Sequence, residues 1–391
     1  MPHYRTVGDV PRKRHTQHRR PDGGLYAEEL VGIEGFSHDS ALLYHRHLPT
    51  AIVDAAVATE ADPGLAPNLP LMPAHFRTHN IALDGDVDAV TGRRVLLANS
   101  DVRLAYVAAT VASPLYRNAV GDEVLYVESG AGIVETIFGV LTASDGDYVV
   151  LPTSTTYRVL PSGPDPLRLW VIEASGHVGP PRRYLSPRGQ FLEHAPYCER
   201  DIRGPEETIR HDETDVAVLV RTRQGLTRYT YAHHPFDVVG WDGCNYPWIV
   251  SIHDFEPITG RLHQPPPVHQ MLEGPSLVVC SFVPRLFDYH PLSVPAPYNH
   301  ANVDSDEVLF YCGGDFMSRK GAGIGMGSVS LHPAGFTHGP QPGSVEASLG
   351  AAATAELAVM VDTFRPLAIG AAARACEDPG YPWTWSGRGP R

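Results

Sequence analysis

One stretch of the chain occurs twice, and this repeat constrains the fold more than any other feature. Asn118-Ala-Val-Gly-Asp-Glu123-Val-Leu-Tyr-Val-Glu-Ser-Gly130 leads to Gly146-Asp-Tyr-Val-Val-Leu-Pro152-Thr-Ser-Thr-Thr-Tyr157. It returns, diverged, as His300-Ala-Asn-Val-Asp-Ser-Asp-Glu307-Val-Leu-Phe-Tyr-Cys-Gly-Gly314 and Gly327-Ser-Val-Ser-Leu-His-Pro333-Ala-Gly-Phe-Thr-His338. Glu123 matches Glu307, Pro152 matches Pro333, and Tyr157 stands where His338 stands. Both copies carry short apolar runs separated by Gly, Asp, Pro and Ser, the pattern of antiparallel strands joined by turns. A repeated unit of this kind predicts a mostly β chain of two β-sandwich halves with few short helices. One copy keeps a set of metal-binding side chain types and the other has lost it.

The strand-like runs cover about residues 102 to 174 and 276 to 364, with an irregular Pro-, Arg- and His-rich connection near 179 to 210 and two more strands after it. The length of 391 residues suits two domains. The expected division is 1–230, an N-terminal β-sandwich without metal, and 231–391, a domain with the metal site. High Gly and Pro (37 and 36 residues) with only 19% charged residues fit a turn-rich β protein.

The formal charge of −13 argues against nucleic-acid or anionic-membrane partners, because the net field repels polyanions. The basic stretch from Arg12 to Arg20 reads as a solvated arm. Five widely spaced cysteines without a CxxC pair indicate neither a disulfide framework nor a thiolate zinc site, and a reducing cytoplasm fits them best. No apolar run approaches the roughly 18 to 20 residues that span a bilayer. The Gly-rich run Gly321 to Gly327 lacks the context of a nucleotide loop and reads as a hairpin connection.

The chemistry concentrates in the second copy. His300 follows the bend made by Pro295 and Pro297, Glu307 begins the apolar run EVLFY, and His338 follows the turn Pro333-Ala-Gly335. Side chains alternate in and out along strands, so three such residues on neighbouring strands can converge. Two histidines and one carboxylate leave several metal positions open, the arrangement of non-haem Fe(II) sites that take O2 and an oxygen-bearing substrate together. Asp306 is the rival carboxylate; Glu123 precedes Gly130 by the same distance as Glu307 precedes Gly314, which favours Glu307. His332 reads as a supporting or substrate-orienting residue rather than a fourth ligand.

The double pattern resembles the cupin superfamily, whose first motif runs His, a second polar residue, Glu and Gly, and whose second is Pro-x-Gly-x-x-His. Pro333, Gly335 and His338 match the second; His300, Glu307 and Gly314 match the first, with Asn302 where many cupins carry a second histidine. The resemblance implies a bicupin, two jelly-roll barrels, with three protein ligands.

Several segments, LYAEEL, SPLYRNAVGDEVLYVESG, FDVVGWDG, PYNHANVDSDEV and SLHPAGFTHGPQPG, narrow this to a resemblance to the homogentisate 1,2-dioxygenase family over about residues 25 to 365. It implies an Fe(II) enzyme that opens a hydroquinone-type ring with O2, and a homo-oligomer, a trimer or a trimer-based hexamer. Tyr298 corresponds to an active-site tyrosine, and His300, Glu307 and His338 to the iron ligands. Where the family carries an acid/base histidine after Gly-Trp, this chain has Asp242, a weaker base unless burial raises it. Other candidates are His253, His263 and, ranked first after its Pro265-Pro266-Pro267 run, His269. Asn302, Tyr298 and His332 are expected to orient substrate, and Phe316 to replace a family tyrosine in the pocket. Two other readings remain: a related oxygenase on a larger phenol or quinol, and a non-catalytic bicupin, against which stands retention of the full triad in one copy.

Overall fold

The structure, a computed structural model, describes residues 3–81, 85–319 and 321–388. It is mostly β, and its two α-helices among the described residues, Ser344–Ser348 and Ala371–Ala375, have five residues each.

Three large sheets are layered. The central one has eight strands and holds the first copy of the repeat, Glu123–Ser129 and Asp147–Leu151, beside Leu167–Ala174 and Val102–Ala109. A seven-stranded sheet covers one face through Val107, Leu125, Val134, Leu141 and Val149. A six-stranded sheet, built on Asp306–Gly313 and Ser328–His332 of the second copy, covers the other face. There Trp170 stacks on Phe310 at 5.0 Å, with Tyr106 and Tyr126 also against Phe310. Because the central sheet is buried on both sides, its strands read as continuous apolar runs instead of alternating ones. Each large side chain enclosed here contributes roughly 1.5–3 kcal/mol.

The repeat is exact in register. Glu123 lies opposite Leu151 on one neighbour and Glu173 on the other; Glu307 lies opposite His332 and Asp362. Each first motif ends on a glycine at positive φ, Gly130 at 90° and Gly314 at 84°. A Cβ on Gly314 would sit 1.7 Å from the Ala355 carbonyl oxygen, so only glycine fits there.

The sheets do not divide at residue 230, which lies inside the strand Gly225–His233, the second arm of a hairpin with Thr214–Thr222. The halves also exchange strands. Ala74–Arg77 completes the six-stranded sheet beside Ser328–His332, and Ala368–Ile369 joins the central sheet beside Arg94–Ala98. These exchanged strands are four and two residues long, too short to show a periodicity in sequence. No helix among the described residues is long and apolar enough to cross a membrane.

Candidate metal centre

Local backbone geometry assembles the polar residues of the second copy. The turn after Pro333 closes with the Phe336 N–H on the Pro333 carbonyl, sets Gly335 at φ 75°, and ties the Gly335 N–H to the Asn302 carbonyl at 2.7 Å. His300 and His338 then exchange both backbone hydrogen bonds, at 2.8 and 2.9 Å, as an antiparallel bridge. Their rings lie 4.3 Å apart, and Glu307 approaches from the adjacent strand. Asp306, its neighbour, is committed elsewhere: its carboxylate accepts the Ala334 and Leu367 N–H groups, each at 2.8 Å. It clamps the turn, and the strand's alternation gives the centre to Glu307.

The ligand atoms of His300, Glu307 and His338 all lie within 4.8 Å of one another. The Nδ1 atoms of His300 and His338 meet the carbonyls of Tyr298 and Phe336, at 3.2 and 3.1 Å. Nδ1 must therefore carry the proton, which leaves each neutral imidazole with its Nε2 lone pair aimed at Glu307, 3.4 Å from Oε2 and 3.1 Å from Oε1. Lone pairs facing a buried carboxylate repel it unless a cation stands between them. The donor set thus fits a divalent metal, with nitrogen and oxygen ligands suited to iron. Without a cation the groups compensate by protonation. Hydrogen bonding to Glu307 raises the His300 pKa, and hydrogen bonds from the three histidines hold Glu307 well below the carboxylate range although burial alone would raise it.

His332 lies behind the set, fully buried. Its Nδ1 donates to Glu307 Oε1 at 2.8 Å, and its Nε2 accepts from the Tyr381 hydroxyl at 2.9 Å. Burial pushes its pKa down to about 3, so it is neutral, and this pattern uses both ring nitrogens. It orients Glu307 and does not face the cavity, contrary to the substrate-contacting position expected for it. Tyr381 comes from the C-terminal segment, which carries no motif, and was not legible in the sequence.

A cavity of ≈ 920 Å³ opens over the outer face of the six-stranded sheet and reaches His300 and Glu307. Tyr298, Asn302 and His269 line it; Tyr298 is half exposed at the mouth. The Nδ1 of His269 is enclosed without a hydrogen-bond partner, and burial lowers this side chain's pKa to about 3. Asp362, which sequence reasoning missed, also lines the cavity and takes a hydrogen bond from Asn302 Nδ2 at 3.1 Å. Burial and then the charge of Glu307 raise its pKa to about 8. Only the strand pairing that places it opposite Glu307 reveals it.

Two expected residues stand elsewhere. Asp242 lies in the strand Val238–Gly243 of a separate four-stranded sheet, where Arg14 Nε donates to Oδ1 at 2.6 Å and Nη2 to its carbonyl oxygen at 2.8 Å. It does not line the cavity. The arm containing Arg14, read as solvated, holds this carboxylate in an ion pair. Phe316 packs edge-on against Tyr311 at 4.9 Å and supports the cavity wall without lining it. His253 is exposed away from the cavity; His263 lines it, paired with Asp288 at 2.9 Å.

A second group, His211, Glu213 and His234, also brings ligand atoms within 4.8 Å. It suits a metal poorly. His234 Nδ1 already accepts the Phe236 N–H, which puts the ring proton on Nε2, and the Arg158 guanidinium lies 3.4 Å from His211 Nε2.

Fold and site together define a double β-sandwich protein with one two-histidine, one-carboxylate centre under a cavity. The profile of the homogentisate 1,2-dioxygenase N-terminal region matches residues 5–252. The "Putative dioxygenase SSO1533" of Saccharolobus solfataricus is 38% identical over 98% of this chain and 99% of its own. Homogentisate 1,2-dioxygenase of Emericella nidulans is 27% identical over 83% of this chain and 77% of its own. Among solved structures, a cupin 2 conserved barrel domain protein from Leptotrichia buccalis aligns with 74% of this chain and 96% of its own, at 11% identity and TM-score 0.35. The chain belongs to the homogentisate 1,2-dioxygenase family, and the family places it among dioxygenases.

Proposed function

We propose that the chain is an Fe(II)-dependent dioxygenase that cleaves the ring of a hydroquinone-type aromatic such as homogentisate, with His300, Glu307 and His338 holding the metal. The observation that carries this reading is the pair of imidazole lone pairs fixed on Glu307. Bound there, iron would supply Lewis acidity toward a phenolic oxygen and a site for O2. The protein's part is positioning. His332 and Tyr381 fix the carboxylate, Asn302 fixes Asp362, and the largely apolar cavity keeps bulk water from the reacting ring.

Proton transfer from the substrate hydroxyl falls to Asp362, a cavity-facing carboxylate with one oxygen free of Asn302, in place of the distant Asp242. His269, enclosed and neutral, is a hydrogen-bond acceptor for substrate. Tyr298, at the mouth, is a ring-contacting side chain for the substrate.

The test is metal analysis followed by oxygen uptake. About one iron per chain and uptake with homogentisate, gentisate or homoprotocatechuate support the proposal; zinc as the bound metal with no uptake on any of the three overturns it. A second reading, a related oxygenase on a larger phenol or quinol, is favoured by the cavity of ≈ 920 Å³, large for a single substituted ring. Product masses from a panel of alkylated and fused-ring quinols separate the two.

A further inference from the structure

The floor of the cavity changes character along its strands. Glu307 of Asp306–Gly313 lies opposite Asp362 of Leu357–Thr363, and this polar pair marks the metal end. Two residues further on, Leu309 lies opposite Met360. Two beyond that, Tyr311 lies opposite Ala358, which pairs on its other side with Phe282. Alternation puts these positions on the face that carries Glu307, and Leu309, Met360, Tyr311 and Phe282 all line the cavity. Each step of two residues advances roughly 7 Å, so an apolar strip of about 14 Å runs away from the triad. The Tyr311 hydroxyl adds little polarity to it, being engaged by Arg319 Nε at 3.3 Å and by Ser330 Oγ at 3.2 Å. The strip ends where Arg285 stands 4.0 Å from Glu356.

Volume and rim agree with the floor. A void of about 150 Å³ is enough for benzene, and this cavity has ≈ 920 Å³. A ring anchored at the triad by its hydroxyl covers the polar pair and the first apolar row, and leaves the rest of the strip bare. Leu262, Leu286 and Leu292 line the same cavity while 76%, 63% and 84% exposed. Leucines left in water forgo the gain of burial, and an apolar ligand lying along the strip supplies it.

We infer that the substrate carries an apolar side chain, an alkyl group that lies along Leu309, Met360 and Phe282 while the ring hydroxyl faces the triad. The ligand class is an alkyl-substituted hydroquinone or phenol. The roughly 8 Å of strip left beyond a ring takes about six carbons, at roughly 1.2 Å per bond of an extended chain. The inference rests on the proposed ring-cleaving activity for the identity of the ring, but not for the binding of the tail.

The experiment measures binding apart from turnover. Iron-loaded protein is titrated calorimetrically with 4-methyl-, 4-propyl-, 4-hexyl- and 4-nonylphenol, which carry one hydroxyl and are no hydroquinones. The proteins are wild type, Phe282→Gln and Leu286→Gln, with metal content checked in each. In wild type each added methylene is expected to tighten Kd about 2- to 4-fold up to six carbons, at one ligand per chain, with little further gain for nonyl. Either glutamine is expected to cut the gain from propyl to hexyl at least threefold and to leave 4-methylphenol within about 3-fold. A flat series in wild type, more than one ligand per chain, or the same gain in both variants overturns the inference. Leu286 is largely exposed, so its variant covers the case in which Phe282→Gln misfolds. If the series rises as expected but no hydroquinone gives oxygen uptake, the ring-cleavage proposal fails while this one stands; uptake on homogentisate with a flat series is the reverse.

Discussion

The Nδ1–H of His332 donates to Oε1 of Glu307 across 2.8 Å, and this one bond ties the carboxylate of the centre to the fully buried interior of the six-stranded sheet. A carboxylate held this way presents its free lone pairs in one direction. Replacing His332 with Phe removes the donor and leaves the Tyr381 hydroxyl without its acceptor. Metal affinity is expected to fall about 10- to 100-fold. A competition titration against a chelator of known affinity measures this, and an affinity within twofold of wild type would mean that Glu307 needs no such support.

The first copy shows what becomes of the same site when a protein cation takes it over. Arg93 is buried where the repeat would place a metal: Nη1 meets Glu123 at 2.5 Å and Glu173 at 2.9 Å, and Nη2 meets the Tyr157 hydroxyl at 2.8 Å. Glu123 and Tyr157 are the counterparts of Glu307 and His338. Arg93→Met removes the cation and leaves buried Glu123 with only the Tyr157 hydroxyl, while Glu173 keeps Arg221 and Arg103; the stranded carboxylate is expected to cost about 3–5 kcal/mol of stability. Metal content should stay at one per chain. Urea unfolding with parallel metal analysis reads both, and a stability change under 1 kcal/mol contradicts the role given to Arg93.

Asp242 and Asp362 make a paired comparison. Asp242→Asn weakens an ion pair with the partly exposed Arg14, so kcat is expected to stay within about twofold of wild type. Asp362→Asn keeps the shape and removes the base, so kcat is expected to fall about 100- to 10,000-fold with metal content unchanged. Steady-state oxygen uptake decides between them; the reverse ranking would return the acid/base role to Asp242.

Stability should fall on acidification for a reason outside the centre. Burial pushes His75 and His234 down to about 4, and they are 0% and 4% exposed. Between the ordinary histidine pKa near 6.5 and about 4 the unfolded chain binds these protons and the folded one does not, so stability is lost as pH falls through that window. His45 acts oppositely. Burial would lower it, but hydrogen bonds to Asp237 and Glu29 raise it to about 9. Its contribution is full below 6.5 and is lost as pH rises through 9. Calorimetry of the metal-free protein should show the highest Tm at about pH 6.5 to 7, a decline as pH rises toward 9, and a drop of roughly 5 °C or more by pH 5. A flat profile from 7.5 to 5 would contradict the neutral burial of His75 and His234.

The sequence by itself determined the repeat, the β architecture and the three residues proposed as metal ligands. Each depends on local pattern: apolar runs between turn residues, a glycine at positive φ ending each first motif, and a Pro-x-Gly turn that sets His338 opposite His300. The tertiary structure alone decided what surrounds them. Asp362 and His332 owe their positions to strand pairing across 55 and 25 residues from Glu307. Tyr381 arrives from a segment with no motif. Asp242 looked catalytic by its place after Gly-Trp, but the packing of the N-terminal arm put Arg14 on it. A side chain's type and local geometry are written in its neighbours along the chain; its ionic partner and the space it faces are set by segments far away in sequence.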